Sequence, residues 1–237
     1  MKKPTIIEFA GLHGSGKTTT AYRLADDLKA LGYIVKTNQD LWLESENIFS
    51  PRRWVSYFLS PVTWSFVAHA LINILFQKID KNKVKNKYDN KHILGPIKDI
   101  WLRNYFCTKV WSEVDFIVWD EGSIYVISDL VWKYKLPKKY IDTYIDLATY
   151  LKNTYIYMFT INTTLSVKRT EERNNGSFID ELSKDMKSSE LAEASEYYAY
   201  AYEYILNTEK YSIQMVSPEK LLESRVGDIC SKLVTDF

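Results

Sequence analysis

Residues 11–18 read GLHGSGKT and directly follow the apolar stretch TIIEFA at residues 5–10. These eight residues match the pattern G-x-x-x-x-G-K-[ST] at every fixed position. TIIEFA predicts a short buried parallel strand, since it is rich in β-branched residues and bounded by glycine. In residues 17–32 the apolar side chains fall on one face of a helix, and Gly32 provides its stop. A strand, this loop and a helix in succession predict a site that binds the phosphate groups of a nucleotide.

The residue types in the loop suit that chemistry. Gly11, Gly14 and Gly16 let the backbone curl so that successive N–H groups point at phosphate oxygens, and the next helix adds its positive N-terminal end. Lys17 is expected to reach the β- and γ-phosphates, and the Thr18 hydroxyl to ligate Mg²⁺. The predicted nucleotide-binding set is Gly11, His13, Gly14, Ser15, Gly16, Lys17, Thr18 and Thr19. His13 occupies a variable position of the pattern, and we assign it no catalytic role.

Further strands and helices alternate along the chain. Strand patterns cover 33–38, 114–122, 154–162 and 211–217, and helical patterns cover 138–152, 164–173, 182–206 and 218–234. This alternation predicts an α/β class protein with a three-layer α/β/α P-loop NTPase fold and a five-stranded, mostly parallel sheet. We expect a single domain over 1–237, with a helical substrate-side insertion at about 48–112 and a lid at about 168–182.

Composition limits which classes of function and which cell compartments fit the chain. A formal net charge of +1 argues against a dedicated nucleic-acid binder. Cys107 and Cys230 are too few for a disulfide framework and fit a reducing compartment, with both thiols as packing residues. The N-terminal apolar stretch is too short for a signal peptide. These observations predict a cytoplasmic location.

One segment stands apart from the α/β pattern. Residues 54–77 contain no Asp, Glu, Lys or Arg, and a lysine-rich stretch follows them. We favour a pair of helices packed on the domain or against a second subunit in a homodimer. A peripheral contact with a membrane surface is the alternative, and a spanning helix is the least favoured, because proline, histidine and hydroxyl residues dilute the segment.

Acidic residues follow two of the predicted strands. Asp120 and Glu121 end the third strand, where parallel sheets place ligand-facing residues, and Asp120 is a candidate to support Mg²⁺. Asp40 follows the second strand and is either a base that accepts a proton from an attacking hydroxyl or a helix-cap residue. Which of Asp40 and Glu121 acts as the base stays open.

Basic residues follow the fourth strand. Arg169 and Arg173 are four residues apart and share a helix face. The pair is suited to close on a transferring phosphoryl group as part of a lid. The alternative is surface salt bridging with Glu171 and Glu172.

Together these motifs resemble those of the thymidylate kinase and deoxynucleoside kinase group of P-loop phosphotransferases. QDLW at 39–42 is similar to the family's Glu-Pro-x-x-x-Trp neighbourhood, which implies a catalytic base at Asp40 and a substrate contact at Trp42. DEGSIYVISD at 120–129 is similar to the Glu-Arg-Ser strand end, and LSVKRTEER at 165–173 to the lid. Arg103 falls near a substrate-phosphate arginine of thymidylate kinases.

The resemblance implies a transferase that uses ATP and Mg²⁺ to phosphorylate a nucleoside or nucleoside monophosphate. Two departures keep other acceptors open: Glu121 stands where the family has arginine, and no Arg-Glu-Pro follows the second strand. The alternatives are a kinase for a sugar, a glycan end or a lipid-linked intermediate, and a nucleotide-dependent regulatory protein without a small-molecule acceptor.

Overall fold

A computed structural model describes residues 3–48, 94–148, 150–151, 154–173, 183–208 and 210–236. The uncharged segment 54–77 lies outside the described residues, as does most of the predicted insertion and the part of the predicted lid after residue 173. Within the described ranges, no helix combines the length and the hydropathy that a bilayer crossing requires.

Five parallel strands form one sheet. They are β1 (Thr5–Gly11), β2 (Val35–Thr37), β3 (Phe116–Trp119), β4 (Thr154–Phe159) and β5 (Ser212–Val216), in the spatial order β2-β3-β1-β4-β5. In the register, Glu8 of β1 pairs with Trp119 of β3, and Gly11 pairs with Phe159 of β4. The predicted five-stranded sheet is confirmed, and every pairing in it is parallel.

Helices connect the strands. They are α1 (Lys17–Ala30), α2 (Asn38–Ile48), α3 (Leu94–Tyr105), α4 (Ser123–Lys133), α5 (Lys139–Leu147), α6 (Thr163–Arg173), α7 (Lys184–Thr208) and α8 (Leu222–Asp236). A π-helical turn, Phe106–Val110, continues α3. The helix expected at 138–152 ends at Leu147, since the backbone of Ala148 leaves helical geometry at ψ 73°.

No helical pattern was expected at Ser123–Lys133, where the structure has α4. Nine of its residues are buried, from Ser123 to Trp132 with only Val126 partly exposed. A helix that is covered on nearly every side carries no polar face, so its sequence lacks the one-sided periodicity that identifies surface helices. Its β-branched residues also favour a strand when taken alone.

The strands bury side chains on both faces of the sheet. On β1, Ile7 and Phe9 join a cluster with residues of α1 and α8, whereas Ile6 and Ala10 join a larger cluster with residues of α3, α4, α5 and α7. This alternation follows from the two-residue period of a strand. The expected three-layer α/β/α arrangement is therefore observed.

The strand order sets the place of the site. β1 lies between β3 and β4, so the chain leaves β1 in one direction and later returns on its other side. Ligands of open parallel sheets bind in the crevice at the carboxyl ends of the strands where the order reverses. That crevice lies at the loop after β1, next to the segments that follow β3 and β4.

Candidate functional site

The loop between β1 and α1 has the backbone geometry that its glycines predict. Gly11, Gly14 and Gly16 have φ angles of 132°, 72° and 92°, a region that side chains other than glycine rarely adopt. Gly16 is the residue immediately before α1, and no side chain caps that helix end. The backbone N–H groups in the first turn of α1 are therefore available to an anion.

Lys17 is held at the loop by three neighbours. Its Nζ donates hydrogen bonds to the carbonyl oxygens of Gly11 and Leu12, each at 2.8 Å. The same nitrogen lies 4.9 Å from the centre of the Tyr125 ring, which belongs to α4. The side chain is 4% exposed. An ammonium group is thus positioned beside the loop by carbonyl dipoles and an aromatic face.

A cavity of about 320 Å³ opens over this loop. It is lined by His13, Gly14, Ser15, Gly16, Lys17, Thr18, Thr19, Glu121, Arg169, Pro218, Leu222 and Arg225. The structure therefore brings together the predicted nucleotide-binding set except Gly11, which lies at the end of β1. Thr18 and Thr19 are exposed at the start of α1. The Ser15 hydroxyl is buried and has no hydrogen-bond partner among the described residues.

Helix α6 packs directly on the loop. The Ser166 hydroxyl donates to the carbonyl oxygen of His13 at 2.6 Å, and Arg169 Nη1 donates to that of Gly14 at 3.3 Å. Arg169 also lines the cavity, and its role in a lid stays a prediction. Arg173 is the last residue of α6, and its side chain lies outside the described residues.

Asp120 lies at the carboxyl end of β3, is 8% exposed and does not itself line the cavity. The Asn38 amide nitrogen donates a hydrogen bond to Asp120 Oδ1. The Asn38 amide oxygen accepts a hydrogen bond from Arg103 Nη1 at 3.0 Å. This arrangement fixes both the Asn38 amide and one oxygen of the Asp120 carboxylate.

Arg103 is buried and bound to neighbouring side chains. Its Nε and Nη2 donate to the two carboxylate oxygens of Asp99 at 3.2 and 3.1 Å, and its guanidinium lies 4.7 Å from the centre of the Trp119 ring. The side chain is 2% exposed and does not line the cavity. Within the described structure it acts on the site through Asn38.

Glu121 is the acidic residue that lines the cavity. Burial raises the pKa of its carboxyl above the usual value, and the nearby charges of Asp120 and Asp129 act in the same direction. The Lys17 ammonium opposes them. A carboxyl group with a raised pKa at the edge of a phosphate-binding loop is suited to accept a proton.

Asp40 and Trp42 are not among the residues that line the cavity. Asp40 Oδ2 accepts hydrogen bonds from Thr37 N at 2.8 Å and Thr37 Oγ1 at 2.9 Å, the geometry of a helix cap at the start of α2. Trp42 is 47% exposed. The contacts of Asp40 fit the helix-cap interpretation, and its role as a base stays a prediction.

Magnesium chemistry fits the donor groups present. Among the described residues, no cluster of three or more His, Cys, Asp or Glu side chains forms a complete protein cage. Mg²⁺ is usually held by one or two protein oxygens together with substrate phosphates and waters. The Thr18 hydroxyl and the Asp120 carboxylate are of that kind.

Three residues of the cavity wall were not predicted as site residues from the sequence. Pro218, Leu222 and Arg225 follow β5, at the same edge of the sheet as the loop. Only the topology of the sheet could have pointed to these three residues, because the residues that follow each parallel strand reach this edge. No motif marks them.

A buried carboxylate supports the turn that carries Asp120 and Glu121. Glu8 of β1 accepts hydrogen bonds from Ile124 N at 2.5 Å and the Tyr150 hydroxyl at 3.1 Å. A Cβ atom on Gly122 would lie 1.9 Å from Glu8 Cγ, so only glycine permits this approach. Burial raises the pKa of Glu8 to about 7.

Replacing Glu8 by glutamine is expected to change how stability depends on pH. Because the folded pKa exceeds the unfolded value of 4.5, the folded protein retains a proton that the unfolded chain releases. The stability that the protonated Glu8 contributes is fully present below about pH 4.5. It is lost as pH rises through about 7, by roughly 3 kcal/mol in total.

Urea unfolding of wild type and Glu8→Gln across this range should show the wild type losing that stability relative to the variant. Glu113→Gln, at an exposed site, is the control. Parallel curves for wild type and Glu8→Gln would contradict the assignment.

Comparison with known proteins gives a likeness of fold. No family model matches the chain, and no curated protein sequence matches it. Among solved structures, deoxyadenosine kinase from M. mycoides with dCMP and a flexible dCDP bound superposes with a TM-score of 0.53 and 14% identity, covering 98% of this chain and 100% of that one. The same kinase with dATP bound gives 0.51 and 16%, covering 97% and 99%.

Thymidylate kinase from Ehrlichia chaffeensis gives a TM-score of 0.50 and 11% identity, with 99% of both chains covered. At such identities the likeness shows the fold. The chain has the P-loop kinase fold found in deoxynucleoside and thymidylate kinases, as its motifs predicted.

Proposed function

We propose that the protein is a Mg²⁺- and ATP-dependent phosphotransferase that moves the γ-phosphate to a nucleoside or nucleoside monophosphate. The observation that carries this proposal is the cavity over the loop, which residues 13–19 line together with Glu121 and Arg169. Phosphoryl transfer needs positioning and charge stabilisation more than covalent chemistry. Those are the properties that this set of side chains supplies.

The donor side follows from the loop. Backbone N–H groups of the loop and of the first turn of α1 would bind phosphate oxygens. Lys17 would exchange its hydrogen bonds to the loop carbonyls for contacts with the β- and γ-phosphates. Thr18 and Asp120 would hold Mg²⁺, which when bound neutralises charge on the phosphates.

The transfer side involves Arg169 and Glu121. Arg169 would contact the transferring phosphoryl group, and we retain Arg173 as its partner on the same helix. For the base we favour Glu121 over Asp40, because Glu121 lines the cavity whereas Asp40 caps α2 through Thr37. Glu121 would accept the proton of the attacking hydroxyl.

Of the acceptor classes, we favour a nucleoside. Arg103, the expected phosphate contact, is buried and bound to Asp99 and Asn38, so α3 offers an acceptor phosphate no free guanidinium among its described residues. The fold likeness to deoxyadenosine kinase and thymidylate kinase supports an acceptor of the nucleoside or nucleotide type. Glu121 in place of the family's arginine is the observation that keeps a sugar, glycan or lipid-linked acceptor as the second candidate.

A substrate panel tests the proposal. The purified protein is incubated with Mg²⁺ and either ATP or GTP against nucleosides, nucleoside monophosphates and sugars, and the phosphorylated product is identified by mass spectrometry. We expect transfer from ATP to one nucleoside well above the others. Transfer to a sugar alone would favour the second candidate, whereas GTP binding without any product would favour the regulatory protein. Liposome flotation in parallel tests the lipid-linked version, which predicts membrane association.

A further inference from the structure

Arg225 is a buried cation in the wall of the cavity. It belongs to α8, is 7% exposed and lines the cavity together with the loop. Its guanidinium lies 5.3 Å from the centre of the Phe159 ring at the end of β4. One terminal nitrogen, Nη2, lies 3.7 Å from the position that a Cβ atom on Gly16 would take. The guanidinium therefore lies beside Gly16, the residue immediately before α1.

Among the described residues this guanidinium has no anionic partner, although a buried arginine normally has one. Its Nε is buried and has no hydrogen-bond partner among the described residues. Within the same ranges, none of the ion pairs involves Arg225. Burying a charge without pairing it is costly. The buried Nε thus carries a desolvation cost that no described residue offsets.

A side chain of the same charge, Arg169, acts on Arg225 electrostatically. Burial lowers the pKa of Arg225, and the positive charge of Arg169 lowers it further. Arg169 approaches from α6 and Arg225 from α8, and both line the cavity that Lys17 also lines. Three cations and the N-terminal end of α1 thus converge on one space, and a polyanion is the ligand that would relieve their mutual repulsion.

We propose that Arg225 binds the phosphate chain of the donor nucleotide from the side of α8. The assignment rests on the proposed function and adds to it a donor-binding residue outside the loop and the lid. A planar guanidinium with several N–H groups is suited to phosphate oxygens, and the Phe159 ring restricts its orientation. Pro218 and Leu222 are its apolar neighbours in the cavity wall.

Calorimetric titrations with three probes in the presence of Mg²⁺ test this assignment: ATP, inorganic tripolyphosphate and adenosine. Arg225→Met keeps the bulk of the side chain and removes its charge. We expect it to weaken binding of ATP and of tripolyphosphate roughly 10- to 100-fold, in line with loss of charged hydrogen bonds, and to leave adenosine binding unchanged. Arg225→Lys should restore part of the affinity. Arg23→Met, at an exposed site on α1, is the matched control and should bind like wild type.

The outcomes separate this inference from the proposed function. If wild type binds neither ATP nor tripolyphosphate, the proposed function fails. If wild type binds both and Arg225→Met binds them equally well, only the role of Arg225 fails. A loss confined to adenosine would assign Arg225 to the base or ribose and would also overturn the inference.

A measurement on the wild type covers the case in which Arg225→Met does not fold. The Nε–H resonance of Arg225, identified by its loss in Arg225→Lys, should shift when tripolyphosphate is added and stay in place with adenosine. A resonance that does not move at saturating tripolyphosphate would contradict the proposal.

Discussion

Replacing Lys17 by methionine is expected to lower phosphoryl transfer by at least about 10²- to 10³-fold, the range found when one group that stabilises transition-state charge is removed. Lys17 is the ammonium group that the loop itself positions, through hydrogen bonds to the carbonyl oxygens of Gly11 and Leu12. Methionine keeps the length and apolar contacts of the side chain. Since only the ammonium charge is removed, both kcat and the affinity for ATP should fall.

The fold should survive this substitution. Lys17→Met removes two donors and leaves two loop carbonyls to be satisfied by water, a cost of about 1–3 kcal/mol. Circular dichroism and urea unfolding measure that cost separately from turnover. Lys29→Met, in the last turn of the same helix and exposed, is the matched control. Turnover of Lys17→Met within a few-fold of wild type would contradict the assigned role.

The sheet and the loop could be predicted from the sequence because their signals are local. GLHGSGKT needs only its own residue types, and each strand pattern lies within a few consecutive residues. Helix α4 could not be predicted in this way, because its burial on nearly every side depends on α7 and β1 packing around it. The same residues would form a plausible strand in another fold.

The placement of polar side chains was harder to predict than the fold. Arg103 was expected near an acceptor phosphate by resemblance, and that role stays a prediction. Its hydrogen bonds to Asp99, four residues earlier, and to Asn38 from a different helix were not expected. Asp40 had two interpretations, and its hydrogen bonds to Thr37 fit that of a helix cap. Arg225 had no motif at all. In each case the deciding contact joins side chains whose orientation the sequence pattern leaves undetermined.

The carboxylate of Asp120 links the buried side chains of Arg103 and Asn38 to the proposed metal. Arg103 orients the Asn38 amide, and that amide donates to Asp120 Oδ1. One carboxylate oxygen is thereby committed to the protein, so the other remains for a ligand. A carboxylate fixed in this way needs no reorganisation when a metal and phosphates arrive.

Asp120→Asn is therefore expected to lower phosphoryl transfer by about 10²- to 10³-fold and to raise the Mg²⁺ concentration needed for half-maximal activity. The amide has the shape of the carboxylate, and its oxygen can still accept the hydrogen bond from Asn38. It lacks the negative charge, however, and its NH₂ group cannot ligate a cation. The fold should persist while the metal affinity falls.

Initial rates measured over a range of Mg²⁺ concentrations distinguish this role from a structural one. Partial recovery of activity at high Mg²⁺ supports the metal assignment, since added cation then compensates for weaker binding. Asp115→Asn is the matched control: it precedes the same strand, and its carboxylate accepts a hydrogen bond from Ile34 N at 2.9 Å. Asp115 lies at the opposite edge of the sheet from the cavity, so its variant should keep the wild-type Mg²⁺ dependence. An Asp120→Asn protein whose activity falls with unchanged Mg²⁺ dependence would refute metal support by Asp120.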